Sequence, residues 1–117
     1  MTTIKSFTSL EQSKKLTEFL PLESADMWWP WYSNLGSDGY YDDFPMFYKP
    51  ICNPDKSVPC WSLGALISLL PKRYCLETLD NGTYVCYNFL SQHEKFGNTP
   101  IDAVYSMIVF LKEEKII

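Results

Sequence analysis

Residues 74–89 read YCLETLDNGTYVCYNF and contain the clearest local structural signal of the chain. Two runs rich in apolar and aromatic residues flank Asp80-Asn81-Gly82-Thr83. Asn-Gly suits the two positive φ angles of a type I′ turn, so the stretch predicts a β-hairpin in which Asp80 pairs with Thr83. In that register one face carries Tyr74, Leu76, Val85, Tyr87 and Phe89, and the other carries Cys75, Glu77, Cys86 and Asn88, with Cys75 and Cys86 diagonal to each other.

The segment before this hairpin predicts a buried helix. Residues 61–70 lie between Pro59 and Pro71 and are apolar apart from small residues. This run is too long for a typical strand, so we interpret it as helical, with Gly64 permitting a close approach of another element.

The segment after the hairpin predicts a second apolar helix over residues 100–114. Thr99 is suited to the N-cap, Pro100 to the first helical position, and Asp102 to the positive end of the helix dipole. Apolar residues occupy most of the helical circumference between residues 101 and 111. A helix of this kind is normally central to a core or buried in an oligomer interface.

The N-terminal half predicts one more helix and one more hairpin. Thr8 and Glu11 have capping-box spacing, which predicts a helix that begins near Ser9 and ends before Pro21. Residues 27–48 are rich in aromatic residues on both sides of a polar, glycine-containing turn, which favours a hairpin with edge or bulged strands, since Pro30 and Pro45 cannot donate to a ladder.

These elements together predict a small α+β domain spanning residues 1–117. Their order is α-ββ-α-ββ-α, and an antiparallel sheet of two hairpins covered by about three helices is the architecture that we expect. A chain of 117 residues with 46% hydrophobic residues is long and apolar enough for one core.

Charge and hydropathy exclude several classes of partner. The net charge of −4 and the pI of about 4.8 oppose binding to nucleic acid or anionic lipid. No apolar stretch has the length of a membrane span or a signal peptide, so we expect a cytoplasmic protein. In that reducing compartment the four cysteines, Cys52, Cys60, Cys75 and Cys86, are expected to be free thiols.

The polar residues do not form a recognisable catalytic, cofactor or metal motif. The cysteine spacings are long and irregular, unlike those of zinc knuckles. Cys60 with His93 as its base is the one thiol arrangement that the sequence suggests, although His93 lies in a polar stretch. Asp38, Asp42 and Asp43 form an acidic group without a calcium-loop pattern, so we predict no catalytic residue, no metal and no cofactor.

The aromatic residues of the first hairpin are the most distinctive feature. A short hairpin cannot turn all of its rings inward, so some of them should be exposed and could bind a protein, a sugar or a cation. The alternative is that they pack beneath the helices and the proline-rich connection. The candidate binding surface comprises Trp28, Trp29, Trp31, Tyr32, Tyr40 and Tyr41.

Three segments resemble motifs of a group of small proteins encoded by phages and mobile elements of gut Bacteroides-type bacteria. The segments are residues 22–27 (LESADM), residues 59–66 (PCWSLGAL), and residues 99–104 (TPIDAV) followed by Met107-Ile108. The resemblance spans most of the chain and implies a bacterial cytoplasm and an accessory role. It implies no activity and no functional residue.

Two hypotheses of function follow. The first is a non-enzymatic accessory module that binds an unidentified protein through the aromatic hairpin or self-associates through helix 100–114. The second is a small ligand-binding protein or enzyme with a pocket walled by the aromatic hairpin 27–48, to which Cys60, His93 or the acids at 38–43 contribute polar groups.

Overall fold

The computed structural model describes residues 6–32, 39–50 and 54–117, and in these residues it shows the α+β class that the sequence predicts. The helices are α1 (Leu10–Thr17), α2 (Leu63–Ile67) and α3 (Pro100–Glu113), with a 3₁₀ turn at Leu22–Ser24. The strands are β1 (Met27–Trp29), β2 (Trp31–Tyr32), β3 (Tyr40–Tyr41), β4 (Val58–Cys60), β5 (Tyr74–Thr78), β6 (Tyr84–Asn88) and β7 (Glu94–Gly97). All of them pair antiparallel, as β1-β4, β2-β3 and β5-β6-β7.

Helix α3 begins as predicted, whereas the cap of α1 lies one residue later than predicted. The Thr99 hydroxyl accepts a hydrogen bond from the Asp102 backbone N–H, and Pro100 opens α3. At α1 the N-cap is Ser9, whose hydroxyl accepts from the Gln12 N–H while the Gln12 side chain accepts from the Ser9 N–H. Thr8 therefore does not cap the helix, and its side chain is fully buried.

The hairpin at residues 74–89 forms, but the predicted register is wrong by one residue. Leu79 pairs with Thr83, because the loop has three residues: a type I turn followed by Gly82 with a φ of +85°. This turn requires a positive φ at Gly82 only, and Asn81 does not adopt one. Leu76 therefore lies opposite Cys86, and Cys75 lies opposite Tyr87.

This register puts Cys75 and Cys86 on opposite faces of the sheet, not on one face as predicted. The inner face packs against α3 and carries Tyr74, Leu76, Tyr84 and Cys86. The outer face carries Cys75, Glu77, Val85, Tyr87 and Phe96.

Strand β7 extends this sheet and was not predicted. It returns antiparallel along β6 after a short loop that is closed by a hydrogen bond from the Asn88 N–H to the His93 carbonyl. Gly97 at its end lies directly beneath the start of α3, where a β-carbon would overlap the backbone of Ala103 and Asp102. The missing side chain lets α3 cross the sheet at this point.

The aromatic segment forms only part of the predicted hairpin. Trp31 pairs with Tyr41, and Trp28 pairs with Met46 through two backbone hydrogen bonds of 2.7 Å. Between these two pairs, the segment from Tyr41 to Met46 is two residues longer than the segment from Trp28 to Trp31 that it faces. A bulge of this kind was expected from the prolines. Strand β1 also pairs with β4, which lies in the connection that we expected to be irregular. The turn residues 33–38, including Asp38, lie outside the described residues, as does Cys52.

Helix α2 is shorter than the predicted helix over residues 61–70. Its hydroxyl cap is Ser62, and within α2 only Leu66 is fully buried. Gly64 is exposed, and a β-carbon there would have the Ser62 Oγ 3.9 Å away as its nearest neighbour, so the predicted close approach at Gly64 is wrong.

The apolar circumference of α3 is largely covered by the chain itself. Its buried residues are Pro100, Ile101, Ala103, Val104, Met107, Ile108 and Leu111, in a core shared with Leu16, Leu20, Trp61, Leu66 and Cys86. A smaller cluster combines Met27, Trp29 and Cys60 with the partly buried Phe7, Leu10, Tyr41 and Val58.

Candidate interaction surface

The six aromatic residues proposed from the sequence differ widely in exposure. Trp29 is buried in the smaller cluster, where its indole N–H donates to the Thr8 carbonyl at 3.3 Å and its ring meets Phe7 edge-on. Tyr40 has half of its surface exposed. The remaining four are half-buried: Trp28, Trp31, Tyr32 and Tyr41. Trp29 is thus part of the core, and the other five reach the surface to different extents.

Three of these rings already carry a lysine ammonium group from the same chain. The Nζ of Lys56 lies 4.4 Å from the centre of the Trp31 ring, and that of Lys49 lies 5.4 Å from the Trp28 ring. Lys14 lies 5.0 Å from the Tyr41 ring. Cation–π attraction holds such pairs together, so an external cation would have to displace one of these lysines.

The most exposed aromatic side chains of this segment lie in β3 and in the residues that follow it. We call them the aromatic rim: Tyr40, Phe44, Phe47 and Tyr48, with 50%, 71%, 70% and 80% of their surface exposed. Only Tyr40 was among the six residues proposed from the sequence.

The path of the backbone explains why the rim is exposed. After Asp42, whose N–H donates to the Pro30 carbonyl, the chain leaves the ladder and rejoins it at Met46. Phe44 lies in this two-residue bulge and points away from the paired strands, with 71% of its surface exposed. Pro45 in the sequence signalled the bulge but not which ring it would release.

A cleft of about 410 Å³ is lined by residues of β1 and β4 and of the segment before β4. Its lining combines the ring of Trp28 and the apolar side chains of Leu22 and Val58 with the ammonium groups of Lys49 and Lys56. An aromatic wall next to two cations is suited to a small anion that also has an apolar part.

A second cleft, of about 430 Å³, lies at the turn between β6 and β7 and includes His93. The His93 Nδ1 is 3.1 Å from the Tyr74 hydroxyl, and its ring contacts Phe110 edge-on with centres 5.0 Å apart. These contacts fix the imidazole against α3. No hydrogen bond joins it to Cys60, so the arrangement suggested from the sequence is not assembled.

The described cysteines differ in environment. Cys60 is buried, and its thiol lies 3.4 Å from the Thr8 carbonyl and 3.5 Å from the Thr8 hydroxyl. Burial raises the pKa of the Cys60 thiol, and burial together with the nearby Cys75 raises the pKa of Cys86 to about 11. Both thiols therefore stay protonated near neutral pH, whereas Cys75 is exposed.

The acidic groups do not converge in the described part of the chain. The Asp42 carboxylate accepts a hydrogen bond from the Asp43 N–H at 2.7 Å, which is a local turn contact. No group of three or more His, Cys, Asp or Glu residues suited to a metal ion occurs among residues 6–32, 39–50 and 54–117.

Asp26 holds Ser62, the N-cap residue of α2. Its carboxylate accepts hydrogen bonds from the Ser62 N–H at 2.8 Å and from the Ser62 hydroxyl at 2.5 Å. The same hydroxyl accepts from the Ala65 N–H, so it is fully engaged at the start of α2.

Comparison of the chain with protein-family models, curated proteins and solved structures gives no match. In the part of the chain that the structure describes, every helix is too short or too polar to cross a membrane.

Proposed function

We propose that this chain is a non-enzymatic interaction module that binds a partner protein through the aromatic rim. The observation that carries the proposal is the exposure of four large rings within residues 40–48. Each ring leaves half or more of its surface in water, although burying it would be favourable.

The chemistry of the rim favours a protein partner. Aromatic side chains dominate the energetics of protein interfaces because they bury a large area at a small cost in conformational entropy. The neighbouring Asp43 and Lys49 are exposed and supply a polar border to the rings. An apolar centre with a polar border is the usual anatomy of such an interface.

The environments of the polar residues favour binding over catalysis. Cys60 is held as a buried thiol against Thr8, and His93 is bonded to Tyr74. Asp42 is engaged in a turn. Each of these groups thus has a structural partner of its own, whereas the four rings of the rim are exposed.

The resemblance of residues 22–27, 59–66 and 99–104 to proteins of phages and mobile elements supports an accessory role in a bacterial cytoplasm as part of this proposal. On this view the partner is another protein of the same element or of its host.

Affinity purification with matched variants tests the proposal. The rim variant Phe44→Ser/Phe47→Ser/Tyr48→Ser should lose the partner, with at least about a tenfold loss of affinity, since interface aromatics are the usual hot spots. The control Phe89→Ser/Leu90→Ser changes equally exposed residues, 82% and 66%, in the β6–β7 turn and should retain it. Circular dichroism of both variants checks the fold. Equal retention by both variants would refute the rim as the binding surface.

The cleft beside Trp28 supports a second candidate, the binding of a small aromatic anion. The dye anilinonaphthalene sulfonate has this chemistry and serves as the probe. Lys49→Gln/Lys56→Gln should weaken dye binding by removing the two charges at the cleft, whereas the rim variant should leave it unchanged. Dye binding that is insensitive to both lysines would exclude this candidate.

A further inference from the structure

Strand β5 is an edge of the three-stranded sheet, and one row of its backbone groups faces outward. The Leu79 N–H donates to the Thr83 carbonyl at 2.8 Å, so the backbone N–H and C=O of Leu79 point toward the strand that contains Thr83 and β6. The direction of the backbone N–H and C=O groups alternates from residue to residue along a strand, so those of Cys75 and Glu77 also point toward β6. The N–H and C=O groups of Tyr74, Leu76 and Thr78 point away, and no residue described in the structure bonds to them.

Two of the features that usually prevent pairing with another strand, proline and a bulge, are absent from this edge. Residues 74–78 contain no proline, and their pairing with β6 contains no bulge. Monomeric proteins commonly protect such an edge with these devices or with a covering element. The edge is therefore a template for one more strand.

The charges at the two ends of β5 favour an antiparallel copy of itself. The exposed Lys72 and Arg73 precede the strand, and the exposed Asp80 follows it. Antiparallel pairing of two copies brings the basic end of each strand beside the acidic end of the other. Parallel pairing would bring like charges together, which is unfavourable.

We propose that two copies of this chain associate antiparallel through β5, centred on Leu76, to form a continuous six-stranded sheet. Leu76 then lies opposite Leu76 of the second copy, and Tyr74 lies opposite Thr78 of the second copy. Three residues on each copy contribute one N–H and one C=O, so pairing forms six hydrogen bonds.

The symmetry of this pairing is compatible with the rest of the fold. A two-fold axis perpendicular to the sheet puts the inner faces of both copies on the same side, together with both α3 helices. The two outer faces then form one surface. The interface is smaller than a standard protein interface, so a concentration-dependent dimer is expected.

Sedimentation velocity over a concentration series tests the dimer. Thr78→Pro removes an outward N–H from each copy but leaves the bonds to β6 in place, and it should weaken the dimer about tenfold or more. Thr78→Val keeps this N–H and should dimerise like the unmodified chain. Thermal unfolding of both variants confirms that β5 is still folded. A monomer at all concentrations would overturn the proposal.

Charge reversal tests the orientation of the two strands. Lys72→Glu puts two acids together at each end of the interface, and Asp80→Lys puts two bases together, so either change should weaken the dimer at low salt. The double variant Lys72→Glu/Asp80→Lys restores opposite charges and should restore association. Failure of the double variant to recover would contradict the antiparallel arrangement.

Disulfide trapping tests the register. In the proposed pairing Cys75 lies opposite residue 77 of the second copy, in a non-hydrogen-bonded pair with Cα atoms about 4.5 Å apart, which is within disulfide range. Oxidised E77C should therefore give a covalent dimer with a 75–77 bridge between chains, as mapped by mass spectrometry. A dimer that survives Thr78→Pro unchanged would refute pairing through β5.

Discussion

Thr8 shows how a single buried hydroxyl organises the N-terminal part of the fold. It is fully buried, its Oγ1 accepts a hydrogen bond from the Trp61 N–H at 3.1 Å, and it lies 2.7 Å from the Ser13 hydroxyl. Thr8→Val keeps the shape but removes the acceptor of the buried Trp61 N–H and the contact with the Ser13 hydroxyl. We expect the free energy of unfolding in urea to fall by about 1–3 kcal/mol.

The control for this prediction is Thr17→Val. The Thr17 hydroxyl also forms a hydrogen bond of 2.7 Å, to the Lys14 carbonyl, but this contact is open to water. Its loss should therefore change the free energy of unfolding by less than about 0.5 kcal/mol. Equal effects of the two substitutions would show that burial of Thr8 has no energetic consequence.

The thiols should react in the order of their exposure. In the folded protein at neutral pH, iodoacetamide should modify the exposed Cys75 rapidly and Cys60 and Cys86 slowly, since burial raises the pKa of both buried thiols. Peptide mapping by mass spectrometry after short exposures measures each site. Rapid labelling of Cys60 would revive the hypothesis of a reactive thiol.

Cys86 should also contribute to a loss of stability in alkali. Its pKa is raised from 9.0 in the unfolded chain to about 11 in the folded protein, so between these values the unfolded state loses the proton first. The contribution to stability is complete below pH 9 and is lost as the pH rises toward 11. Urea unfolding in reductant across this range should show a shallower decline for Cys86→Ala than for the unmodified chain. Parallel declines would exclude this cause.

Alanine substitutions at Gly97 and Gly64 should have opposite effects on stability because the surroundings of the two glycines differ. A β-carbon at Gly97 would overlap the backbone of Ala103, so Gly97→Ala must displace α3 from the sheet. We expect a loss of about 1–3 kcal/mol in the free energy of unfolding. Gly64→Ala instead adds a methyl group to an exposed helical position with open space and should stabilise the protein by about 0.5–1 kcal/mol. Chemical denaturation measures both, and a stabilising Gly97→Ala would show that α3 does not need this approach.

Elements with a local cause could be predicted from the sequence, and those that depend on distant residues could not. Thr99-Pro100 is sufficient to start α3, and Asn81-Gly82 is sufficient to place a turn. The register failed because Asn-Gly fits both a two-residue loop and a three-residue loop. Strands β4 and β7 were not predicted because both are short. Strand β4 depends on β1, which is distant in the sequence, and β7 depends on its contact with α3.

The candidate site was predicted only in outline. The excess of aromatic residues in 27–48 predicted that some rings would be exposed, with burial beneath the helices as the alternative; of the six residues proposed, the structure exposes Tyr40 and buries Trp29. Which rings are exposed depends on the bulge between Asp42 and Met46, which releases Phe44, and on the packing of Trp29 against Cys60 in the smaller cluster. Neither the bulge nor this packing produces a periodic pattern of apolar residues from which it could be predicted.

At the scale of the whole molecule, two apolar clusters are joined by a small polar network. Trp61 belongs to the larger cluster and Cys60 to the smaller one. The indole N–H of Trp61 donates to the Ser24 hydroxyl at 2.9 Å, and Ser62 is bound by Asp26. Residues 22–27 and 59–66 are therefore in direct contact, so these two motif segments have a role in holding the fold together.

This unequal division of the core predicts unequal stability across the molecule. Met107 and Ile108 are fully buried in the larger cluster, so their amides should exchange with solvent only on global unfolding. Asp42 directly follows the two-residue strand β3 at the edge of the smaller cluster, and its N–H bonds to the Pro30 carbonyl, so a local opening should release it. Native-state hydrogen exchange by NMR at several low urea concentrations separates the two processes. The exchange free energy of Met107 and Ile108 should equal the global value and fall with urea, whereas that of Asp42 should be smaller and nearly independent of urea. Identical urea dependence at all three amides would mean that the aromatic segment and the α3 core unfold as one unit, and that a partner binding at the rim would stabilise the entire protein.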